Sequence, residues 1–284
     1  MTQNFSAKFL LLLLFALTYS FSAQALPKHN PVPGGIALIA VPAQSPQLKV
    51  FYKKKRVAII PDNKQYYAMV GLSLKSKAGR QNIQLVWNDG RKQTKSFSIK
   101  PKVYKEQHLT IKNKRKVNPY KKDMDRIIKE KSKKNKARTH WSEKNVAYDF
   151  IVPVNGRISS IFGLKRFFNK QARRPHSGLD IATAEGTPIK AIEAGTVIES
   201  GNFFFSGNMI YIDHGQGIIS LYAHMNSIDI KTGDKVSKGQ IIGSVGETGR
   251  VTGPHLHLAI IANQTLIDPI LVLPELNIAK NTQY

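Results

Sequence analysis

The stretch Gly253–Ile260, GPHLHLAI, has the character of a short β-strand and carries two histidines one residue apart. Successive side chains of a strand point to opposite faces, so His255 and His257 share one face while the two leucines share the other. The pattern predicts a strand that brings two imidazoles within reach of one centre. One of them could bind a metal ion, and the other could hydrogen-bond a bound water molecule or a substrate oxygen.

Short β-rich runs separated by Gly or Asp-Gly turns lie on the N-terminal side of this stretch, and little of this part of the chain has a helical period. The runs are NGRISSIFG, SGLDIAT, GTPIKAIEAGTVIESG, NMIYIDHG, IISLYAHM and KVSKGQIIGSVG. They predict an antiparallel all-β domain over residues 145–274, followed by a C-terminal tail at 275–284.

The first part of the chain has a related pattern. From residue 32 to residue 100, short β-rich runs such as KVFYKKKRVAII and NIQLVWNDG alternate with polar turns. They predict a small β-sandwich-like domain, 32–100, with a hairpin at Asn88, Asp89 and Gly90. The chain as a whole is therefore predicted to be all-β.

Residues 101–144, between the two β-rich regions, are polar and dense in lysine. Pro119 interrupts the segment, and the following DMDRIIKEKSKK has acidic residues first and basic residues last, as the helix dipole favours. The sequence predicts a basic linker with a helical arm. Two interpretations remain open: a solvated connector, or an arm that docks on an anionic polymer of the cell wall.

The N-terminus predicts export. Lys8 precedes the apolar run FLLLLLFAL, and the small-residue pattern Ala23-Gln24-Ala25 follows it. This pattern is typical of a signal peptide, 1–25, cleaved after Ala25; a retained membrane anchor is the alternative. We expect no transmembrane segment in the mature chain, which would lie in the periplasm or be secreted. The 284 residues include no cysteine, so neither a disulfide framework nor a lipoprotein anchor is expected.

The net charge of +25 predicts a partner or surroundings of opposite sign. Nucleic acid is a common partner for such a balance, but an exported chain rarely meets it. Cell-wall polymer or an anionic membrane surface is therefore the better candidate, and no nucleic acid partner is expected.

Four histidines and one aspartate of the second β-rich region could build a site: His176 and Asp180 in PHSGLD, His224 in LYAHM, and the pair in GPHLHL. A hydrolytic zinc site uses three imidazole or carboxylate ligands and leaves one position for water. His176, Asp180 and one member of the pair would supply them. A zinc ion lowers the pKa of its water to about 7 and polarises a scissile carbonyl.

Proton transfer would still need a base. The chain has no HExxH helix, whose glutamate does this work in many metalloproteases. His224 and the member of the histidine pair that does not bind metal are therefore the candidates.

The segments PHSGLDIATAEGTPIKAIEAGTV, GNMIYIDHGQG, LYAHM and KVSKGQIIGSVGETGRVTGPHLHL resemble the M23 family, the lysostaphin-like or LytM-type zinc endopeptidases of cell walls. The resemblance covers roughly residues 153–270, with HxxxD, xAH and HxH in order. It implies that His176, Asp180 and His257 bind one zinc ion per chain and that His224 and His255 are catalytic. It also implies a β-rich fold with a groove over the metal, and hydrolysis of peptide bonds in peptidoglycan stem peptides or cross-bridges.

PGGIALIAVP and YKEQHLTIKNKRKVNP resemble the N-terminal region of exported proteobacterial members of the family. This favours a D-alanyl to diaminopimelyl cross-link over a glycine bridge as the substrate. Three alternatives stay open: a catalytically inactive relative that binds the wall and activates another hydrolase, a lipoyl- or biotinyl-type carrier, and a peptidase for proteins outside the wall. All five key positions are filled, and no lysine lies in the hairpin context that a carrier needs.

Overall fold

The computed structural model describes residues 26–42, 48–63, 65–146 and 148–274. The predicted signal peptide and C-terminal tail lie outside these residues. The described chain is mostly strand, with a small β domain, a partly helical linker and a second β domain, and this confirms the predicted fold class. No helix in the described part of the chain is long and apolar enough to span a bilayer.

Six strands build the first sheet, in the spatial order β1-β4-β3-β2-β5-β6 with antiparallel neighbours. They are β1 (Ile36–Val41), β2 (Leu48–Tyr52), β3 (Lys55–Asp62), β4 (Gln65–Gly71), β5 (Gly79–Trp87) and β6 (Lys92–Ile99). Val86 pairs with Lys92, so the residues between β5 and β6 form the predicted hairpin. Gly90 has φ +87°, a value that glycine adopts without strain.

The two faces of this sheet have different neighbours, because side chains alternate along each strand. Val57 and Ile59 of β3 belong to a core of the first domain alone. Ala58 and Ile60 of the same strand join the core of the second domain. Asn263 adds polar contacts to this interface: its side-chain oxygen accepts from Gly71 N at 2.6 Å, and its amide donates to Gly71 O at 3.1 Å. The interface between the domains is therefore both apolar and hydrogen-bonded.

Thirteen further strands follow along the chain. They are β7 (Glu106–Leu109), β8 (Arg157–Ser160), β9 (Lys165–Phe168), β10 (Gln171–Ala172), β11 (Leu179–Ala182), β12 (Pro188–Lys190), β13 (Gly195–Phe203), β14 (Gly207–Asp213), β15 (Ile219–Ile228), β16 (Lys235–Val236), β17 (Ile241–Val245), β18 (His255–Ala262) and β19 (Thr265–Ile267). Ten of them form a sheet with the main order β16-β13-β14-β15-β18-β11-β8, to which β12, β17 and β19 are added. All neighbouring strands in the described part of this sheet pair antiparallel, as the sequence predicted for the second domain.

A third, three-stranded sheet has the order β10-β9-β7. Its strand β7 comes from the predicted linker and pairs in parallel with β9 of the second domain, with Gln107 opposite Arg166. The linker therefore contributes a strand to the second domain.

Two α-helices follow β7: α1 (Lys114–Val117) and, after a 3-10 turn at Lys121–Asp123, α2 (Met124–Thr139). A second 3-10 turn lies at Pro269–Leu271. The helix α2 is the predicted helical arm. Ala137 is buried against apolar residues of β13, β14, β15 and β18, and Glu130 accepts hydrogen bonds from Phe204 N at 2.8 and 3.0 Å. The arm is thus docked on the outer face of the large sheet, although most of its lysines remain exposed.

Candidate metal centre and its groove

Sheet register brings two of the predicted ligands together. In the antiparallel pair of β11 and β18, Asp180 lies directly opposite His257, and Ala182 lies opposite His255. His176 lies just before β11, where its backbone N–H donates to Leu164 O at 2.8 Å. The pairing of β11 with β18 and the backbone hydrogen bond of His176 therefore bring His176, Asp180 and His257 to one place beside β11.

The side chains of His176, Asp180 and His257 form the one group among the described residues whose geometry could hold a metal ion. Nε2 of His176 lies 3.0 Å from Oδ1 of Asp180, and Nδ1 of His257 lies 2.7 Å from the same oxygen. The two imidazole nitrogens are 3.1 Å apart. His176 and Asp180 are buried, at 2% and 5% exposed, while the side chain of His257 keeps 14% of its exposure.

The hydrogen bonds of His176 fit a metal ligand. Its Nδ1 lies 2.7 Å from Ile161 O, and because a carbonyl only accepts, this nitrogen carries the ring proton. Burial lowers the pKa of His176 to about 4, so the ring is neutral and Nε2 presents a lone pair. That lone pair faces a carboxylate oxygen, an arrangement that a cation between the two atoms would stabilise. The residues present therefore fit a zinc ion.

The second carboxylate oxygen of Asp180 accepts a hydrogen bond from Nη2 of Arg166 at 2.7 Å. The same guanidinium donates to Ser160 Oγ and, through Nε, to Oε1 of Gln107 at 3.1 Å. Burial alone would raise the pKa of Asp180, but the interactions with His176 and His257 outweigh it and hold this pKa well below its ordinary value. The carboxylate is therefore ionised and fixed in orientation.

Gly178 leaves room for the imidazole of His257. A Cβ added at Gly178 would lie 2.7 Å from Nε2 of His257 and 2.4 Å from Leu258 O. Any other residue would push this histidine or the β18 backbone away, so the glycine between the first two predicted ligands has a packing role.

His224 lies in a β-bulge of β15. One extra residue separates Tyr222 from Met225 relative to the paired positions on β14, and His224 has φ +65°. Such a backbone conformation is strained for a residue with a side chain, and bulges of this kind re-aim side chains next to active sites. Here the bulge directs the ring of His224 to within 4.9 Å of the ring of His255.

His224 and His255 are each held by a backbone carbonyl. Nδ1 of His224 lies 2.7 Å from Thr248 O, and Nδ1 of His255 lies 2.9 Å from Gly253 O. Since a carbonyl only accepts, both Nδ1 atoms carry the proton and both Nε2 atoms are left as acceptors. Burial, followed by the charges of His255 and His257, lowers the pKa of His224 well below its ordinary value. The structure thus brings all five predicted site residues into one neighbourhood.

His176, His224 and His257 line a groove of about 740 Å³. One wall is the helix α2, which contributes Ile127, Lys134 and Arg138, and the other described lining residues belong to the second domain. None of the described residues 26–99 lines the groove. The linker, not the first domain, is therefore the neighbour of the site.

Sequence reasoning missed four residues near the site: Gln107, Ser160, Arg166 and Lys134. Gln107 and Lys134 lie in the segment interpreted as a linker, where lysine density obscured any buried pattern. Of the three consecutive aromatic residues 203–205, Phe203 and Phe204 are buried and Phe205 lines the groove.

The chain was compared with known proteins. Residues 174–269 match peptidase family M23, and residues 29–102 match the N-terminal domain of peptidase family M23. Over 113 residues the chain is 44% identical to the peptidoglycan DD-endopeptidase ShyA of Vibrio cholerae, which is 39% of this chain and 26% of ShyA. Over 134 residues it is 37% identical to the DD-carboxypeptidase/endopeptidase Mpg of Neisseria meningitidis, 46% of this chain and 31% of Mpg.

The chain thus spans between a quarter and a third of the length of these curated relatives. A crystal structure of a Pseudomonas aeruginosa protein assigned to peptidase M23 has a TM-score of 0.73 and 34% identity to the chain, covering 86% of this chain and 95% of that one. The fold likeness therefore extends over both β domains and the linker.

Proposed function

The chain belongs to peptidase family M23, and from this premise we propose that it is a zinc-dependent endopeptidase that hydrolyses peptide cross-links of peptidoglycan. The observation that carries the proposal is the convergence of three donor atoms, from His176, Asp180 and His257, beside a groove that His176 and His257 line. This donor set and a free approach from the groove are what a hydrolytic zinc site requires.

The proposed ligands divide the work of holding the ion. His176 would bind through Nε2, His257 through Nδ1 and Asp180 through Oδ1, the atoms that face one another. A zinc ion held there supplies Lewis acidity, which polarises the scissile carbonyl and lowers the pKa of water. Arg166 keeps the carboxylate of Asp180 oriented from behind.

We assign proton transfer to His224 and His255. Each keeps its proton on Nδ1, bonded to a backbone carbonyl, and therefore presents Nε2 as an acceptor toward the groove side of the metal position. One Nε2 would take a proton from the attacking water, and the same proton would then be delivered to the leaving amine. The lowered pKa of His224 keeps this ring neutral and able to accept at neutral pH.

The proposed bond is the amide from D-alanine to diaminopimelate. ShyA is named a peptidoglycan DD-endopeptidase and Mpg a DD-carboxypeptidase/endopeptidase, and both match part of this chain. We extend the proposal to export into the periplasm, where this substrate lies, directed by the predicted signal peptide. Exposed lysines of α2 would add attraction to anionic wall polymer.

The test is incubation of residues 26–284 with purified cross-linked muropeptides, with and without chelator, followed by mass spectrometry. We expect chelator-sensitive conversion of dimers to monomers and one zinc ion per chain. Intact dimers with one zinc bound would contradict the wall substrate, and intact dimers without zinc would favour the non-enzymatic activator instead.

A further inference from the structure

Arg250 lies in the groove between two phenyl rings. Its guanidinium carbon is 4.6 Å from the centre of the Phe168 ring and 4.7 Å from that of Phe205. Within the described chain its side chain donates one hydrogen bond, a long one of 3.5 Å from Nη1 to Lys116 O. No carboxylate of the described chain lies within 4.0 Å of the guanidinium. Burial lowers its pKa to about 10, which leaves it charged at neutral pH. The guanidinium is thus held in place with most donors unused.

Lys134 is a second cation on the same groove, supplied by α2. Its Nζ donates to Ser206 Oγ at 3.0 Å and lies 5.1 Å from the centre of the Phe203 ring. Among the described residues it has no ion pair, and burial followed by the charge of Arg250 lowers its pKa. Two cations therefore share one groove without a bound carboxylate.

The acidic residues nearby are already occupied. Glu130 is the one carboxylate among the described groove-lining residues, and it accepts from Arg126 Nε at 2.6 Å and from Phe204 N. Asp180 accepts from Arg166 and faces the two histidines. The charge of Glu130 is close enough to raise the pKa of Lys134, but no acid of the described site forms an ion pair with Arg250 or Lys134, so an anionic ligand would complete the groove.

Lys134 contacts, and Arg250 belongs to, the segments that hold His224 in place through hydrogen bonds. The backbone N–H of His224 donates to Ser206 O, whose side chain binds Lys134. Nδ1 of His224 bonds Thr248 O, two residues before Arg250, and Arg250 N donates to Phe205 O at 2.9 Å. An anion bound between the cations would therefore lie beside the proposed proton-transfer histidine.

We propose that Arg250 and Lys134 form a subsite for the free carboxylate on the substrate residue that contributes the scissile amide nitrogen. The inference rests on the proposed function. In a D-alanyl to diaminopimelyl cross-link, the carbon that bears this nitrogen also bears a free carboxylate, so the anion is only two bonds from the reacting atom. A fixed guanidinium and an ammonium placed beside the proton-transfer group match that geometry, and they lose little side-chain freedom on binding.

Arg173 and Arg174, two further cations just before His176 in the chain, are less suited to bind this carboxylate. Arg173 already donates to Val117 O, Asn118 Oδ1 and Gln171 Oε1, and Arg174 is exposed. They line the groove but are not fixed with free donors.

The test uses two purified muropeptide dimers that differ at one group: this carboxylate is free in one and a carboxamide in the other. For the unmodified chain we expect kcat/KM to be about 10- to 100-fold lower on the amidated dimer, the size of a lost charged hydrogen bond. Arg250→Gln and Lys134→Met should fall toward that value on the free dimer. In both variants the ratio of kcat/KM on the free dimer to that on the amidated dimer should approach one, and one bound zinc ion per chain would show that they are folded and loaded with metal. Lys129→Gln, an exposed lysine of the same helix outside this groove, should behave as the unmodified chain.

The outcomes separate the two proposals. Cleavage of both dimers by the unmodified chain at equal rates would overturn the subsite and leave the endopeptidase intact. Undiminished preference for the free dimer in both Arg250→Gln and Lys134→Met would do the same. Cleavage of neither dimer by the unmodified chain would overturn the proposed function and the subsite together.

Discussion

The groove holds two pairs of histidines that differ in what fixes them. His176 and His257 share a single carboxylate oxygen, that of Asp180, at 3.0 and 2.7 Å. Among the described residues, His224 and His255 have no carboxylate oxygen within 3.5 Å, although Oδ1 of Asp180 lies 3.8 Å from Nε2 of His255, and both rings are fixed through backbone carbonyls. His176 therefore points a lone pair at an anion, as a ligand of a cation does, while the second pair presents free acceptors. Proximity to the metal position does not by itself assign the role of a histidine. We assign the roles from the groups that contact the two nitrogens of each ring.

The largest effect is expected from removing the anion that the first pair shares. Asp180→Ala should lose nearly all bound zinc and all measurable cleavage, since two imidazoles alone leave the site one ligand short. Metal content by mass spectrometry or atomic absorption, together with cleavage of muropeptide dimers, checks this. Asp229→Asn changes an exposed aspartate of the same domain and should leave both readouts unchanged. Stoichiometric zinc in Asp180→Ala would contradict the proposed ligand set.

The second pair should respond differently. His224→Ala and His255→Ala are expected to keep one zinc ion per chain while turnover falls by about 10²- to 10⁴-fold, the usual contribution of general acid–base catalysis. Zinc content and kcat are measured on the same samples. Loss of zinc in either variant would erase the distinction between the two pairs, and near-normal kcat in both would remove them from the mechanism.

A smaller effect is expected from Gln107, which supports Asp180 through Arg166. Gln107→Ala removes the acceptor of Arg166 Nε and of the Ser160 hydroxyl. Such supporting contacts typically change metal affinity about 10- to 100-fold, so zinc should be lost at a lower chelator concentration. The control is Glu106→Ala, an exposed residue of the same strand β7. Equal chelator sensitivity of the two variants would show that the linker strand does not support the metal site.

The smallest effect concerns the outside of the groove. Replacing the exposed α2 lysines Lys129, Lys133 and Lys136 with glutamine should weaken binding to sacculi by a few-fold and flatten its salt dependence, because exposed charges are screened within about 10 Å at 0.1 M salt. Cleavage of soluble dimers should not change. Sacculus binding that is insensitive to salt would contradict an electrostatic role for this helix.

The main elements of the site could be predicted from the sequence. The HxxxD and HxH spacings predicted which side chains could meet, because strand alternation and antiparallel pairing translate such spacing directly into geometry. Other features depend on distant pairings that no local pattern encodes. The parallel alignment of Gln107 with Arg166 joins residues 59 positions apart, and Arg250 owes its fixed position to a ring on β9. The helix α2 was predicted from its charges, but its docking on the large sheet rests on a few buried residues such as Ala137.

The insertion of the linker into the second domain bears on how this protein can be recombined with others. A chimera that joins residues 145–274 to a foreign targeting module would inherit every proposed metal ligand and both proton-transfer histidines. It would leave behind Gln107, which braces Arg166, and Lys134, which forms part of the groove wall. The functional unit for transfer therefore begins before β7, near residue 104, and a graft made at that junction should retain more of the native zinc affinity than one made at residue 145.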